Sequence, residues 1–202
     1  MPSGATTNSD NPSASTGPLA PALCVSRWFN VQGDLSLESL HGRVVLLHAF
    51  QMLCPACVSH GLPQAMKVHR TFAQSDVAVL GLHTVFEHHD AMAPHALQAF
   101  LEEYRISFPV AVDRPSPNGP LVEPVPTTMR AYELRGTPSL VLIDRQGMVR
   151  LSHFGNIEDL ALGAVLGQLI AEPVEGPQQS NRSTAAGDST GAPTPIQHNA
   201  TS

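Results

Sequence analysis

The chain has no basic run. Its 11 Lys and Arg are scattered among 17 Asp and Glu, for a formal net charge of −6. Nucleic acids and anionic membrane faces are met by clustered cations, so neither is an expected partner. No stretch approaches the roughly 20 consecutive apolar residues of a transmembrane helix. The first residues lack a basic segment followed by an apolar one, so no secretory signal is expected. Cys24 follows Pro21-Ala22-Leu23 with no apolar run ahead of it, unlike a lipoprotein signal. A cytoplasmic location is therefore expected. Cysteine is scarce as well, with three residues: Cys24, Cys54 and Cys57. In a reducing compartment one close pair serves catalysis or metal binding better than it serves as a staple.

Large apolar side chains are also missing from both ends. Residues 1–21 are mostly Ser, Thr, Gly, Pro, Asn and Ala, and residues 173–202 are similar with added Gln. Such segments bury too little surface to offset the entropy of ordering, and both are expected to be disordered tails. The remaining stretch, 22–172, is long enough for one domain with a sizeable core.

Within that stretch, Cys54-Pro55-Ala56-Cys57 stands where an apolar run ends and a helical pattern begins. The run Val44-Val45-Leu46-Leu47-His48-Ala49-Phe50 has the composition of a buried strand. Pro55 fits the first position of a helix, where its missing N–H costs nothing. That sets Cys54 at a helix N-terminus, where orphan N–H groups and the macrodipole favour a thiolate and make a cysteine nucleophilic. Cys57 lies one turn on and can reach the same sulfur. The expected chemistry is reversible dithiol–disulfide exchange.

The rest of the segment alternates strands and helices. Leu35–Gly42 is expected as a short helical turn closed by Gly42. A helix is expected from Pro55 to Gln74, kinked at Pro63, and a second buried strand over Asp76–His83. Further elements are a helix over Asp90–Arg105, a strand at Phe108–Val112 and one helical turn at Met129–Leu134. A hairpin follows, Ser139–Ile143 and Met148–Phe154 about the turn Asp144-Arg145-Gln146-Gly147, and then an amphipathic helix over Ile157–Ala171. Between them, Arg114–Thr127 is a proline-rich loop of the length often given to function. This order predicts an α/β fold, a central mixed sheet flanked by helices on both faces. CxxC beside such a pattern indicates a thioredoxin-like redox motif.

Three stretches make the chain resemble the thioredoxin superfamily, and most closely its TlpA/ResA-like redoxin branch, which is related to the AhpC/TSA redoxins. They are Val44–Cys57, the element Arg135-Gly136-Thr137-Pro138-Ser139-Leu140-Val141-Leu142-Ile143-Asp144, and the long segment between the second strand and Phe108-Pro109-Val110. The resemblance implies a thioredoxin-like fold with a cis Thr137–Pro138 bond facing the cysteines. The alternative is a trans proline opening an edge strand. There are departures. Leu53 stands where relatives carry Trp, Pro63 comes one residue later than usual, and His48 occupies a strand position often filled by Asp or Asn. The export signal common in the branch is not visible.

The implied roles follow. Cys54 attacks a substrate disulfide and Cys57 resolves the mixed disulfide. Pro55, Thr137 and Pro138 shape the site. His48 accepts the Cys57 proton, or else is a neutral core histidine. Glu87 tunes the thiols by like-charge repulsion, or else is a solvated carboxylate at a helix start. His83, His88 and His89 are expected in solvated or capping roles, Trp28 in packing, and Cys24 as a free thiol. No metal or cofactor is expected, although His60 follows Cys57 at a spacing that zinc sites use. The expected function is a thiol–disulfide oxidoreductase that reduces protein or small-molecule disulfides, recharged by an unidentified electron donor. A peroxiredoxin-like peroxidase is the alternative, but its Thr/Ser and Pro positions are occupied here by Gln51 and Leu47. A non-catalytic redox-sensing or metal-binding module is a third reading.

Overall fold

A computed structural model describes residues 17–173. The tails expected over 1–21 and 173–202 fall mostly outside the described residues. Residues 17–21 are within them and do not behave as a tail. The Ala20 N–H donates to Gly147 O, the Val149 N–H to Pro18 O, and Tyr132 Oη to Pro21 O. The domain therefore begins earlier than composition indicated, because backbone pairing rather than apolar side chains holds this strap.

Six strands form one mixed sheet in the order β1-β4-β3-β2-β5-β6. They are β1 (Val25–Phe29), β2 (Val44–Phe50), β3 (Val77–His83), β4 (Val110–Asp113), β5 (Ser139–Ile143) and β6 (Val149–Phe154). β2, β3 and β4 run parallel, while β1, β5 and β6 pair antiparallel to their neighbours. Every residue of β2 and β3 is buried, which is why both read as unbroken apolar runs rather than alternating ones.

The helices are α1 (Leu62–Thr71), α2 (Pro94–Glu103), α3 (Thr127–Ala131) and α4 (Asp159–Ala171). Leu62, Ala65 and Val68 of α1, Leu97 and Leu101 of α2, and Leu162, Leu166 and Leu169 of α4 pack on the face that carries Leu46, Phe50 and Leu142. The other face carries Leu47, Val141 and Ile143 and is covered by Met129, Tyr132 and Leu134 with Leu37 and Leu40. Helices thus cover both faces. Gln64 Nε2 ties α1 to the start of α4 through Ile157 O and Asp159 Oδ1, each at 2.7 Å.

Several boundaries differ from the sequence reading. β1 was not expected, and the helix of 55–74 ends at Thr71. The helix expected from Asp90 begins at Pro94, which takes its first position after a 3₁₀ turn over His89–Met92. The turn expected at Met129 starts at Thr127, because Asp113 Oδ1 and Oδ2 accept the N–H groups of Thr128 and Met129 and cap it from β4.

Candidate redox site

The cysteine pair lies where the central strand β2 gives way to a helix. The chain turns at Met52-Leu53, and the residues following Cys54 are helical. Cys54 occupies the capping position. Its own N–H donates to Gln51 O, and its carbonyl accepts the Val58 N–H, each at 3.1 Å. The Cys57 N–H points back at Cys54 Sγ at 3.2 Å, as an N-terminal helix N–H does to a capping side chain.

The two thiols differ sharply. Cys54 is partly exposed, whereas Cys57 is 0% exposed. Burial, and next its hydrogen bond to Cys54, push the Cys57 thiol up to about 12. One sulfur therefore faces outward with a donor aimed at it, and the other is held protonated beneath. Across from them the Thr137–Pro138 bond is cis. Cys54 Sγ–H donates to Thr137 O at 3.5 Å, and Pro138 is buried. Pro55 is exposed and opens the helix.

The helix is not a plain α-helix. Residues Cys57–Gly61 form a π turn in which the Leu62 N–H donates to Cys57 O. The expected kink at Pro63 takes this form. Pro63 has no N–H to return to the Ser59 carbonyl, and a π turn just ahead of it absorbs the mismatch.

His48 lies under that turn. A Cβ on Gly61 would sit 2.5 Å from His48 Cε1, 2.8 Å from His48 Nε2 and 3.2 Å from Pro138 Cβ. The ring therefore fills the space that Gly61 leaves open. It is 2% exposed, burial lowers its pKa to about 4, and its Nε2 has no hydrogen-bond partner among the described residues.

Glu87 is exposed, and Gln51 Nε2 donates to its Oε1 at 3.4 Å. Among the described residues it connects to the cysteine loop only through that buried glutamine. Gln51 is one residue that sequence reasoning missed as part of the site. It is 1% exposed, its carbonyl receives Cys54, and its Oε1 is unpaired among the described residues. His83 is another. It was expected in a solvated or capping role, yet it is 0% exposed. It sits beside Phe50 in the β2–β3 register, and its Nε2 accepts the Met52 N–H at 3.4 Å. The signal was present: His83 closes an apolar run, and a strand buried on both faces carries its last residue inward too. Burial lowers its pKa to about 4.

Cys24 is a free thiol whose N–H and carbonyl both meet Thr128 Oγ1. Trp28 packs against the Leu47 face. His60 bonds to Ser59 at the exposed surface. Among the described residues, no group of three or more His, Cys, Asp or Glu side chains converges on a point.

A family model described as the AhpC/TSA family matches residues 16–152. Among solved structures, a thioredoxin-like superfamily protein is 53% identical, with a TM-score of 0.75 over 78% of this chain and 99% of its own. A thiol-disulfide isomerase from Corynebacterium glutamicum is 49% identical, with a TM-score of 0.73 over 79% of this chain and all of its own (100%). A Chlorobium tepidum protein described as the thiol:disulfide interchange protein DsbE is 25% identical, with a TM-score of 0.57 over 78% and 99%. No curated protein matches.

Proposed function

The chain belongs to the AhpC/TSA family, and within it we propose that Cys54 and Cys57 form the redox couple of a thiol–disulfide oxidoreductase that reduces disulfides. The observation that carries this reading is the asymmetry of the pair: Cys57 N–H is directed at a partly exposed Cys54 Sγ, while the Cys57 thiol is buried and raised to about 12.

In the first step the Cys54 thiolate attacks one sulfur of the substrate disulfide. That S–S bond breaks, and the other substrate sulfur leaves as a thiolate. In the second step Cys57 Sγ attacks Cys54 Sγ, its proton leaves, and the second substrate thiolate departs. Two electrons and the Cys57 proton have then passed to the substrate, whose other thiolate takes its proton from solvent, and the Cys54–Cys57 disulfide awaits reduction by an external dithiol. Thr137 and Pro138 line the approach to Cys54, and Pro55 starts the helix that carries it. Glu87 is tied to the loop through Gln51 Nε2, which holds its carboxylate at the edge of the site.

His48 is the proposed acceptor of the Cys57 proton, with its free Nε2 as the basic atom. Complete transfer from a group at about 12 to one at about 4 is strongly uphill. The proton is therefore shared only as the Cys57–Cys54 bond forms, and it continues to the departing substrate thiolate. His48→Asn should change the pH profile of the second step, and an unchanged profile removes His48 from it.

The deciding experiment is reduction of insulin disulfides with dithiothreitol as donor, together with the potential of the Cys54–Cys57 couple. A potential near about −270 mV marks a reductant and one near about −120 mV an oxidant. Peroxide consumption that depends on Cys54, with no insulin reduction, would replace this reading with the peroxidase one.

A further inference from the structure

The segment that carries the cysteines leaves the sheet at Phe50, and the end of β3 holds it at successive points. The Thr84 N–H donates to Phe50 O at 3.0 Å. The Met52 N–H donates to His83 Nε2 at 3.4 Å, and Gln51 Nε2 donates to Glu87 Oε1 at 3.4 Å. This anchor is itself fixed. The Thr84 hydroxyl donates to Asp113 Oδ2 at 3.0 Å, and the same carboxylate caps α3.

Met52 lies beyond the strand ladder and is buried, so its N–H needs a partner within the protein. The His83 ring supplies one. An Nε2 that accepts a hydrogen bond carries no proton, which places the ring proton on Nδ1. Nδ1 has no partner among the described residues. The ring is wholly enclosed, with the Phe50 ring centroid 5.3 Å away. A buried N–H left unpaired costs stability. Leucine at this position would carry no such cost, and what histidine offers in its place is the acceptor for Met52.

The peptide group it holds is the one that meets both cysteines. Met52 N–H and Gln51 O belong to the same planar unit. Its nitrogen end is bound to His83, and its oxygen accepts the Cys54 N–H at 3.1 Å. The Gln51 backbone also hydrogen-bonds the Cys57 thiol, working against the rise imposed first by burial and then by Cys54. A line of contacts thus runs from the His83 ring through one peptide to Cys54, with Cys57 set against the same residue.

We propose that His83 is a positioning residue for the Cys54–Cys57 couple: by holding the Gln51–Met52 peptide it fixes the point against which both cysteines are set. The inference rests on the disulfide-exchange reading of the pair and adds to it a residue, distant in sequence, that governs how readily the pair closes.

The test is the equilibrium of the full chain with glutathione. There the Cys54 and Cys57 thiols become one disulfide as one glutathione disulfide becomes two thiols. With the peptide released, the reduced pair gains freedom that ring closure must remove, whereas the disulfide tethers its sulfurs in either case. His83→Asn, too short to reach the Met52 N–H, should lower the equilibrium constant for closure about tenfold, the worth of one hydrogen bond, and so raise the potential by about 30 mV. His83→Gln, whose terminal amide oxygen can take the place of Nε2, should stay within about threefold of the parent. Leu101→Ala, which opens a gap in the core under α2, should lower the melting temperature and leave the constant within about twofold. Equal shifts in His83→Asn and His83→Gln, no shift in His83→Asn, or a shift in Leu101→Ala as large as that in His83→Asn overturns the proposal. Should neither His83 variant fold, the ring nitrogen chemical shifts of the parent decide: a proton on Nδ1 supports the proposal, and a proton on Nε2 overturns it. A parent whose cysteines never close in glutathione refutes the exchange reading first and this role with it, a result recognisable without any variant.

Discussion

Acidification from pH 7 to pH 4 is expected to unfold this domain through two histidines that are neutral in the native state. His48 and His83 flank the Phe50 ring, are 2% and 0% exposed, and are lowered by burial from 6.5 to about 4. Between those two pH values the unfolded chain binds a proton at each position and the native state does not, so stability must fall as pH falls. Each shift corresponds to about 3 kcal/mol. Together they give about 6–7 kcal/mol, a large part of the roughly 5–15 kcal/mol that holds a domain folded. Their contribution is complete above about pH 6.5 and exhausted near pH 4, with a combined slope approaching about 2.7 kcal/mol per pH unit between. Asp113, raised chiefly by burial, works the other way at the acid end, while Glu38, Glu123 and Asp159, all lowered, add to the loss there. Urea unfolding followed by the fluorescence of the single tryptophan, Trp28, measures the profile. His48→Leu and His83→Leu should each remove about half of the slope between pH 6.5 and 4.5, and that difference is independent of the carboxylates. A His48→Leu, His83→Leu double variant whose profile parallels the parent would refute the argument.

Other outcomes are expected on the same grounds. With the reduced protein at pH 8, iodoacetamide should label Cys54 and leave Cys57 nearly untouched, since Cys57 is 0% exposed and its thiol is raised to about 12; equal labelling rates would contradict the asymmetry. Gly61→Ala should destabilise by about 1–3 kcal/mol despite alanine's helix preference, because its Cβ falls 2.5 Å from His48 Cε1; thermal unfolding checks the sign. Asp113→Ala should cost about 3 kcal/mol or more, since it strands the Thr128 and Met129 N–H groups and the Thr84 hydroxyl, and the same urea titration reads it.

What could be read in advance depended on how local its cause was. The end of β2, Pro55 and the cysteine spacing are neighbours in sequence, so the pair's position at a helix start was legible, as were the hairpin of β5 and β6 and its Gly147 turn. β1 was not. Val25-Ser26-Arg27-Trp28-Phe29 shows no clear alternation, and its burial varies along its length, because it is an edge strand made by pairing with β4 across the fold (Val25 opposite Asp113). The start of α3 was missed for the same reason, since the carboxylate that caps it comes from β4. Pro94 displaced the expected start at Asp90 because the chain between β3 and α2 first makes a 3₁₀ turn entered at His88, whose φ is +49°.

The site's least legible part is also its most constrained. Pro63, Gly61 and His48 read separately as a kink, a small residue and a misplaced histidine. In space they are one arrangement. Pro63 cannot return a hydrogen bond one turn back, so the preceding turn widens and Leu62 N–H reaches Cys57 O instead. Widening would leave a void beside Gly61, which a densely packed interior does not tolerate. The His48 ring enters that space, and only a residue without a side chain at 61 admits it. The imidazole is thereby fixed against Gly61 at the end of the π turn, with Nε2 unpaired among the described residues. It follows that replacing Pro63 by Ala, which restores the missing N–H, should draw the helix toward regular bonding and crowd His48. Its effect should be read in the Cys54–Cys57 potential, which a simple gain in helix stability would leave in place.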